Sequence, residues 1–190
     1  MPRSAVQIPN AVPPLTPTTV DSSNPPSLAN AAKPRVLVLG LGNDLLTDDG
    51  VGLYVARELQ RQVVGQDSIH VRETTEMGLA LLDFLTGYDA AVIVDSIQTG
   101  QASPGFIHEL DATSWKQLTG GTPHFLGVGE TLALGRQLNM PMPAQVRIFA
   151  VEVEDPFTLG TQLTPALQTA LPGIVGRIAA AVSAFVKRET

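Results

Sequence analysis

Three aspartates and one histidine have the residue types and the positions that chemistry at a protein site requires. Asp48 and Asp49 follow a buried apolar run, Asp95 ends another apolar run, and His124 follows a glycine pair and a proline. Two carboxylates and one imidazole form an oxygen–nitrogen ligand set that suits a borderline divalent ion and leaves coordination positions open. Because the chain contains no cysteine, this set predicts a weakly held or borrowed metal rather than a permanent zinc site.

Each of these residues also has an ordinary structural explanation. Aspartate is favoured at the start of a helix, where it accepts backbone N–H groups. We therefore expect Asp48 to cap or brace its turn, while Asp49 projects into the crevice of the fold. Asp95 could bond to the next loop or cap a helix, and His124 could be an exposed loop residue.

The elements around these residues predict an α/β fold. The predicted strands cover residues 35–40, 68–73, 90–96, 105–110 and 145–154, and the predicted helices cover 48–63, 76–87, 125–139 and 164–187. Their alternation is typical of a three-layer α/β/α architecture, an open and mostly parallel five-stranded sheet with helices on both faces. In such sheets ligands bind beyond the carboxyl ends of the strands, where Asp49 and Asp95 are expected. Pro172 and Gly173 predict a kink or a late start in the last helix.

The first 34 residues differ in composition from the rest of the chain. Eight of the 15 prolines fall there, among many Ser, Thr and Asn residues, and proline interrupts both helices and strand ladders. We therefore predict a disordered tail over residues 1–34 and a single domain over residues 35–190. The tail has no apolar core of a secretory signal, which favours a cytoplasmic protein.

Composition argues against several classes of protein. With 12 Lys and Arg against 18 Asp and Glu, no basic face for nucleic acid is expected, and no run of about 18 apolar residues indicates a membrane span. The glycines at 40 and 42 lack the third glycine of a dinucleotide fingerprint, which would fall at Leu45. His70 and His108 alternate with apolar residues and are expected on a sheet surface rather than as metal ligands.

Three motifs, taken together, connect the chain to a known family. The loop after the first strand fits G-x-G-N-x-L-x-x-D-[DE]-x-x-G through Gly40, Gly42, Asn43, Leu45, Asp48, Asp49 and Gly52. Asp95 ends the third strand, and His124 stands in a loop before a helix. Over roughly residues 35–180 the chain resembles the nickel–iron hydrogenase maturation endopeptidases. By this resemblance Asp49, Asp95 and His124 are the metal-contacting residues and the candidate catalytic residues.

The resemblance implies an endopeptidase that removes a short C-terminal extension from the precursor of the hydrogenase large subunit after nickel insertion. The nickel belongs to the active site of that precursor, and no tightly bound cofactor of the chain's own is expected. Nickel could act as a Lewis acid near the scissile carbonyl. Alternatively it could serve recognition alone, with Asp49 or Asp95 as the general base. Weak ligands would contact the metal without removing it from the thiolates of the precursor.

One turn departs from the pattern of the family. After the second strand the family often has D-G-G-T or D-G-G-S, whereas this chain has Thr74 and Thr75 between Glu73 and Glu76. The missing glycines predict a different backbone and different substrate contacts there, as expected for a subgroup with another partner.

Two other functions stay open at this point. A non-catalytic chaperone that checks nickel in the same precursor would use the same three ligands. A small-molecule hydrolase or phosphorylase on a similar scaffold would need basic residues around the crevice to bind an anion. Arg72 and Arg136 belong to no phosphate motif.

Overall fold

The strands and helices follow the predicted order. The computed structural model describes residues 33–111 and 128–187, so His124 and nearly all of the predicted tail lie outside the described residues. The elements are β1 (Val36–Leu41), α1 (Val51–Gln62), β2 (Ile69–Thr74), α2 (Leu81–Leu85), β3 (Ala90–Ile97), β4 (Ile107–Asp111), α3 (Val128–Gln137), β5 (Gln145–Glu152) and α4 (Pro165–Lys187). The sheet has the order β2-β1-β3-β5-β4, in which only β4 runs antiparallel. The predicted open, mostly parallel α/β sheet is confirmed.

Helices cover both faces of this sheet. Every residue of β1 and β3 is buried, as a continuous apolar run predicts for strands that are covered on both sides. Because successive side chains of a strand point to opposite faces, the core divides into two clusters. The cluster with α1 and α4 contains Val36, Val38, Val92, Val94 and Phe149, and the cluster with α2 and α3 contains Leu37, Leu39, Ala91, Ile93 and Ile148.

The second helix is shorter than predicted. A single 3-10 turn starts at Gly78, and only the five residues of α2 are α-helical. Gly78 has a φ of 62°, a left-handed conformation that glycine tolerates but that cannot continue a helix. The predicted terminator of this helix, Gly87, has a φ of 83° directly after the C-cap Thr86.

The last helix, α4, starts where its first proline stands. It runs from Pro165 through Pro172 without interruption, so the predicted late start is wrong. Proline suits the first turn because its missing N–H would have no partner there. By length and composition alone α4 could cross a membrane, but its apolar stripe packs on the sheet. The buried residues of that stripe are Leu167, Ile174, Val175, Ile178, Val182 and Phe185.

Candidate active site

The start of α1 lies directly on the ends of β1 and β3. Gly52 permits this approach, because a Cβ atom there would lie 2.2 Å from the carbonyl oxygen of Leu41 and 2.4 Å from that of Val94. Gly42 has a φ of 149°, and a Cβ atom on it would lie 2.1 Å from the carbonyl oxygen of Asp49. The glycines of the first motif therefore bring Asp49 down to the carboxyl edge of the sheet.

Ser96 joins the two predicted carboxylates. Its hydroxyl donates a hydrogen bond of 2.6 Å to Oδ1 of Asp49, and its backbone N–H donates one of 2.8 Å to Oδ1 of Asp95. Asp49 is 7% exposed, and Asp95 and Ser96 are fully buried. The structure thus shows that Ser96, at the end of β3, is bonded to both Asp49 and Asp95. Ser96 was not predicted as a site residue. Its place directly after Asp95 could have indicated that its hydroxyl lies at the same edge of the sheet.

Buried carboxylates at a strand end can carry out two kinds of chemistry. A carboxylate keeps its charge away from water only where hydrogen bonds or a cation compensate it, and Ser96 supplies one bond to each side chain. Carboxylate oxygens held in this way can bind a divalent cation or accept a proton from an attacking water. The pair formed by Asp49 and Asp95 therefore suits metal contact and general-base catalysis.

The third predicted ligand, His124, lies outside the described residues. Within residues 33–111 and 128–187, no group of three or more His, Cys, Asp or Glu side chains is arranged to hold a metal ion. The three-residue ligand set therefore stays a prediction. The structure describes two of its members, Asp49 and Asp95.

Asp48 braces the loop before α4. Its Oδ1 accepts the backbone N–H of Thr164 at 2.8 Å, and its Oδ2 accepts those of Asp155 at 3.0 Å and Glu154 at 3.2 Å. The hydroxyl of Thr164 adds a further bond of 3.1 Å to Oδ2. No side-chain bond caps the turn that contains Asp48, so this residue braces the loop before α4 and not, as predicted, its own turn. The two adjacent aspartates therefore have different partners: Asp48 holds the loop before α4, and Asp49 is bonded to Ser96.

Two loops at this edge are joined along their backbones. Leu46, between β1 and α1, forms an isolated antiparallel bridge with Leu159, between β5 and α4. The N–H of Gly160 donates a hydrogen bond of 3.0 Å to the carbonyl oxygen of Leu45. Together with Asp48, these bonds fasten the two loops to each other beside Asp49.

A further buried carboxylate, that of Glu152, was not predicted. It is 1% exposed and accepts the N–H and hydroxyl of Thr99 at 2.8 and 2.7 Å and the N–H of Gly100 at 2.8 Å. Nε2 of His108 lies 2.9 Å from its Oε2. Burial by itself would raise the pKa of Glu152, but the hydrogen bonds from Thr99, His108 and Gly100 outweigh burial and lower it. His108 is thus bonded to Glu152 within the structure. The signal in the sequence that could have indicated Glu152 is an acidic residue at the end of an otherwise largely apolar strand.

The turn that departs from the family pattern is closed by a side chain. The hydroxyl of Thr74 accepts the N–H of Glu76 at 3.0 Å, a local bond that stabilises a turn without glycine. Among the described residues the threonines of this turn have no positive φ, and Gly78 supplies the left-handed residue instead. The carbonyl oxygen of Gly78 accepts the hydroxyl of Thr131 at 3.0 Å, so α3 holds this turn in place.

A comparison with protein families gives a match over more than half of the chain. Residues 53–181 match the family described as "Hydrogenase maturation protease". The matched residues include Asp95 and His124 and begin after Asp49.

Comparisons with individual proteins agree with this match. The chain is 29% identical over 104 residues to the hydrogenase 2 maturation protease of Escherichia coli K12, and 28% identical over 138 residues to the hydrogenase expression/formation protein HupD of Thiocapsa roseopersicina. These alignments cover 52% and 71% of this chain but only 62% of each relative's length. The fold is similar to that of the hydrogenase maturating endopeptidase HybD from Escherichia coli, with a TM-score of 0.68 and 25% identity over 78% of this chain and 92% of that one.

Proposed function

Because the chain belongs to the hydrogenase maturation protease family, we propose that it is a cytoplasmic endopeptidase that processes the precursor of a nickel–iron hydrogenase large subunit. The bond cut is the one that releases the C-terminal extension of that precursor. The observation that supports this function most directly is the pair Asp49 and Asp95, joined through Ser96 at the carboxyl edge of the sheet. In a doubly wound α/β fold this edge is where a substrate binds.

The nickel of the precursor is the metal that this site contacts in our proposal. Asp49 and Asp95 would supply oxygen ligands and His124 a nitrogen ligand, while the ion stays part of the substrate. Such a set binds a divalent ion less tightly than thiolates do, so contact with the site would test for nickel without extracting it. The protein is accordingly expected to hold no metal tightly by itself.

Peptide hydrolysis requires that a water molecule lose a proton as it attacks the scissile carbonyl, and that the leaving nitrogen gain one. Asp49 or Asp95 can accept that proton and return it to the nitrogen. The bond from Ser96 holds Asp49 through Oδ1 and so orients its carboxylate. In the alternative mechanism the nickel polarises the carbonyl, and the two aspartates only bind. A thiol nucleophile has no part in either mechanism, because the chain contains no cysteine.

The test follows the intact mass of a nickel-loaded large-subunit precursor over time, with nickel-free precursor as the control. We expect the loaded precursor alone to lose a defined C-terminal peptide. Asp49→Asn, Asp95→Asn and His124→Ala are each expected to slow this loss at least about 100-fold, the lower range for a positioned acid or base. Asp67→Asn is the matched control, because Asp67 is exposed and lies between α1 and β2, at the opposite edge of the sheet.

Two results would contradict this proposal. A stable complex in which the precursor keeps its full length would indicate the non-catalytic chaperone. Unchanged cleavage by all three variants, each folded by circular dichroism, would show that the catalytic residues lie elsewhere.

A further inference from the structure

Large apolar side chains are exposed mainly at one edge of the sheet. Eight such side chains are exposed in the described part of the chain, and six of them stand in loops at the carboxyl edge, the edge of Asp49 and Asp95. These six are Leu45, Met77, Leu79, Phe106, Phe157 and Leu159. Scattered exposed hydrophobic residues are ordinary, whereas their concentration at one place indicates an interaction site. Val64 and Leu138 are at the opposite edge.

Three of the six belong to the two loops that are joined along their backbones. Leu45 is 62% exposed, Phe157 76% and Leu159 81%. The bridge between Leu46 and Leu159 and the bond from Gly160 to Leu45 fix the backbone that carries them. A surface held in its bound geometry loses little conformational entropy when a partner arrives. We call Leu45, Phe157 and Leu159, with the acidic Asp44 and Glu154 beside them in the chain, the docking face.

The docking face is tied to the candidate active site. Asp48 accepts the backbone N–H groups of Glu154 and Asp155, and it directly precedes Asp49 in the chain. A partner that binds the docking face is therefore held beside the carboxylates at the end of β3.

The charges at this edge restrict what can bind there. Within residues 33–111 and 128–187, four loops lie at the carboxyl edge, residues 42–50, 75–80, 98–106 and 153–164, and these four contain no Lys, Arg or His. Asp44, Glu76 and Glu154 are exposed in them, and the hydroxyl and N–H of Thr158 lower the pKa of Asp155. Arg57, from α1, reaches Asp44 at 3.6 Å. An apolar surface with an acidic border fits a partner surface that is apolar with a basic border.

We propose that the docking face binds a folded surface of the precursor, one that presents apolar side chains bordered by lysine or arginine. This inference rests on the proposed function, since the partner is the protein that carries the scissile extension. The docking face selects the partner, and Asp49 and Asp95 act on it afterwards.

The experiment measures binding of the nickel-loaded precursor and the steady-state kinetics of its cleavage. Phe157→Ser and Leu159→Ser are each expected to weaken binding about tenfold or more, as the loss of an apolar anchor does at an interface. KM should rise by the same factor while kcat stays unchanged, because the docking face does not touch the reacting bond. Val64→Ser and Leu138→Ser are the matched controls. Glu154→Gln should weaken binding at low salt and lose this effect at high salt, whereas Asp67→Asn should not.

The outcomes separate this inference from the proposed function. If the wild-type protein neither binds nor shortens the precursor, both are wrong. If it cleaves the precursor and the variants of the docking face behave like the matched controls, only the docking face is wrong. Concentration-dependent dimerisation of the protein alone that Leu159→Ser abolishes would assign this surface to a second copy of the chain and overturn the inference.

Discussion

The hydroxyl of Ser96 donates a hydrogen bond of 2.6 Å to Asp49, although 47 positions of sequence separate the two residues. The bond connects the turn before α1 to the end of β3. It therefore makes the position of the Asp49 carboxylate depend on the sheet as well as on its own turn. Ser96 acts here as a positioning residue.

Removal of this hydroxyl should affect catalysis more than folding. Ser96→Ala leaves the buried Asp49 with one hydrogen bond fewer, which should lower the free energy of unfolding by about 1–3 kcal/mol. Cleavage of nickel-loaded precursor should slow about 10–100-fold, the usual effect of losing a group that orients a metal-contacting side chain. Urea unfolding and intact-mass kinetics measure the two effects. Ser183→Ala, which removes a hydroxyl from the exposed side of α4, should change neither.

Loss of the Asp48 carboxylate should release the loop before α4. Asp48→Ala deprives three partly buried backbone N–H groups of their acceptor, and we expect about 2–4 kcal/mol of destabilisation. Amide exchange measured by NMR should accelerate at Glu154, Asp155 and Thr164 before it does so in β1. Equal acceleration throughout the sheet would show that the loop has no separate dependence on Asp48.

A methyl group at Gly52 should push α1 away from the sheet. Gly52→Ala places a Cβ atom within 2.4 Å of two carbonyl oxygens, and overpacking of this kind costs about 1–3 kcal/mol. Precursor cleavage should fall with stability, since Asp49 moves with the helix. Gly176→Ala is the matched control, because nothing lies within 4 Å of that Cβ position in α4 and alanine should stabilise the helix by about 0.5–1 kcal/mol. Thermal unfolding of both variants provides the comparison.

Glu152 should make stability depend on pH in the acid range. Its pKa is lowered from the ordinary value of 4.5 in the folded protein, so its carboxylate stabilises the fold above that value. The contribution is lost as the pH falls through the lowered pKa. Glu152→Gln should therefore be less stable than the wild type at neutral pH, and the difference should shrink below pH 4.5. Urea unfolding across this range is the measurement, with Glu58→Gln as the control. A difference in the free energy of unfolding between the wild type and Glu152→Gln that stays constant with pH would contradict this prediction.

The sheet could be predicted because its central strands, β1 and β3, are almost entirely apolar. β1 and β3 are continuous apolar runs, and such runs belong to parallel strands covered on both faces. The direction of β4 could not be predicted from its own residues, because it depends on the path of the chain between β3, β4 and β5. The predicted end of β5 is two residues too late, since the N–H groups of Glu154 and Asp155 bond to Asp48 instead of extending the strand.

Candidate site residues could be predicted only where a residue's own position in the chain indicates a role. Asp95 was selected for its place at the end of the third strand, and Asp49 for its place at the start of the first helix. The role of Asp48 could not be read locally, because its partners lie more than 100 positions away in sequence. The same holds for Glu152 and His108, which are bonded across 44 positions.

The bond between Asp48 and Thr164 spans 116 positions of the chain, and this has a consequence for synthesis on the ribosome. Contacts so distant in sequence form late, since the intervening chain must first be made and ordered. A nascent chain that has not yet extended past Thr164 lacks the two hydrogen bonds that this residue donates to Asp48. The turn that carries Asp49 is therefore fastened to the loop before α4 only after all five strands of the sheet have been synthesised.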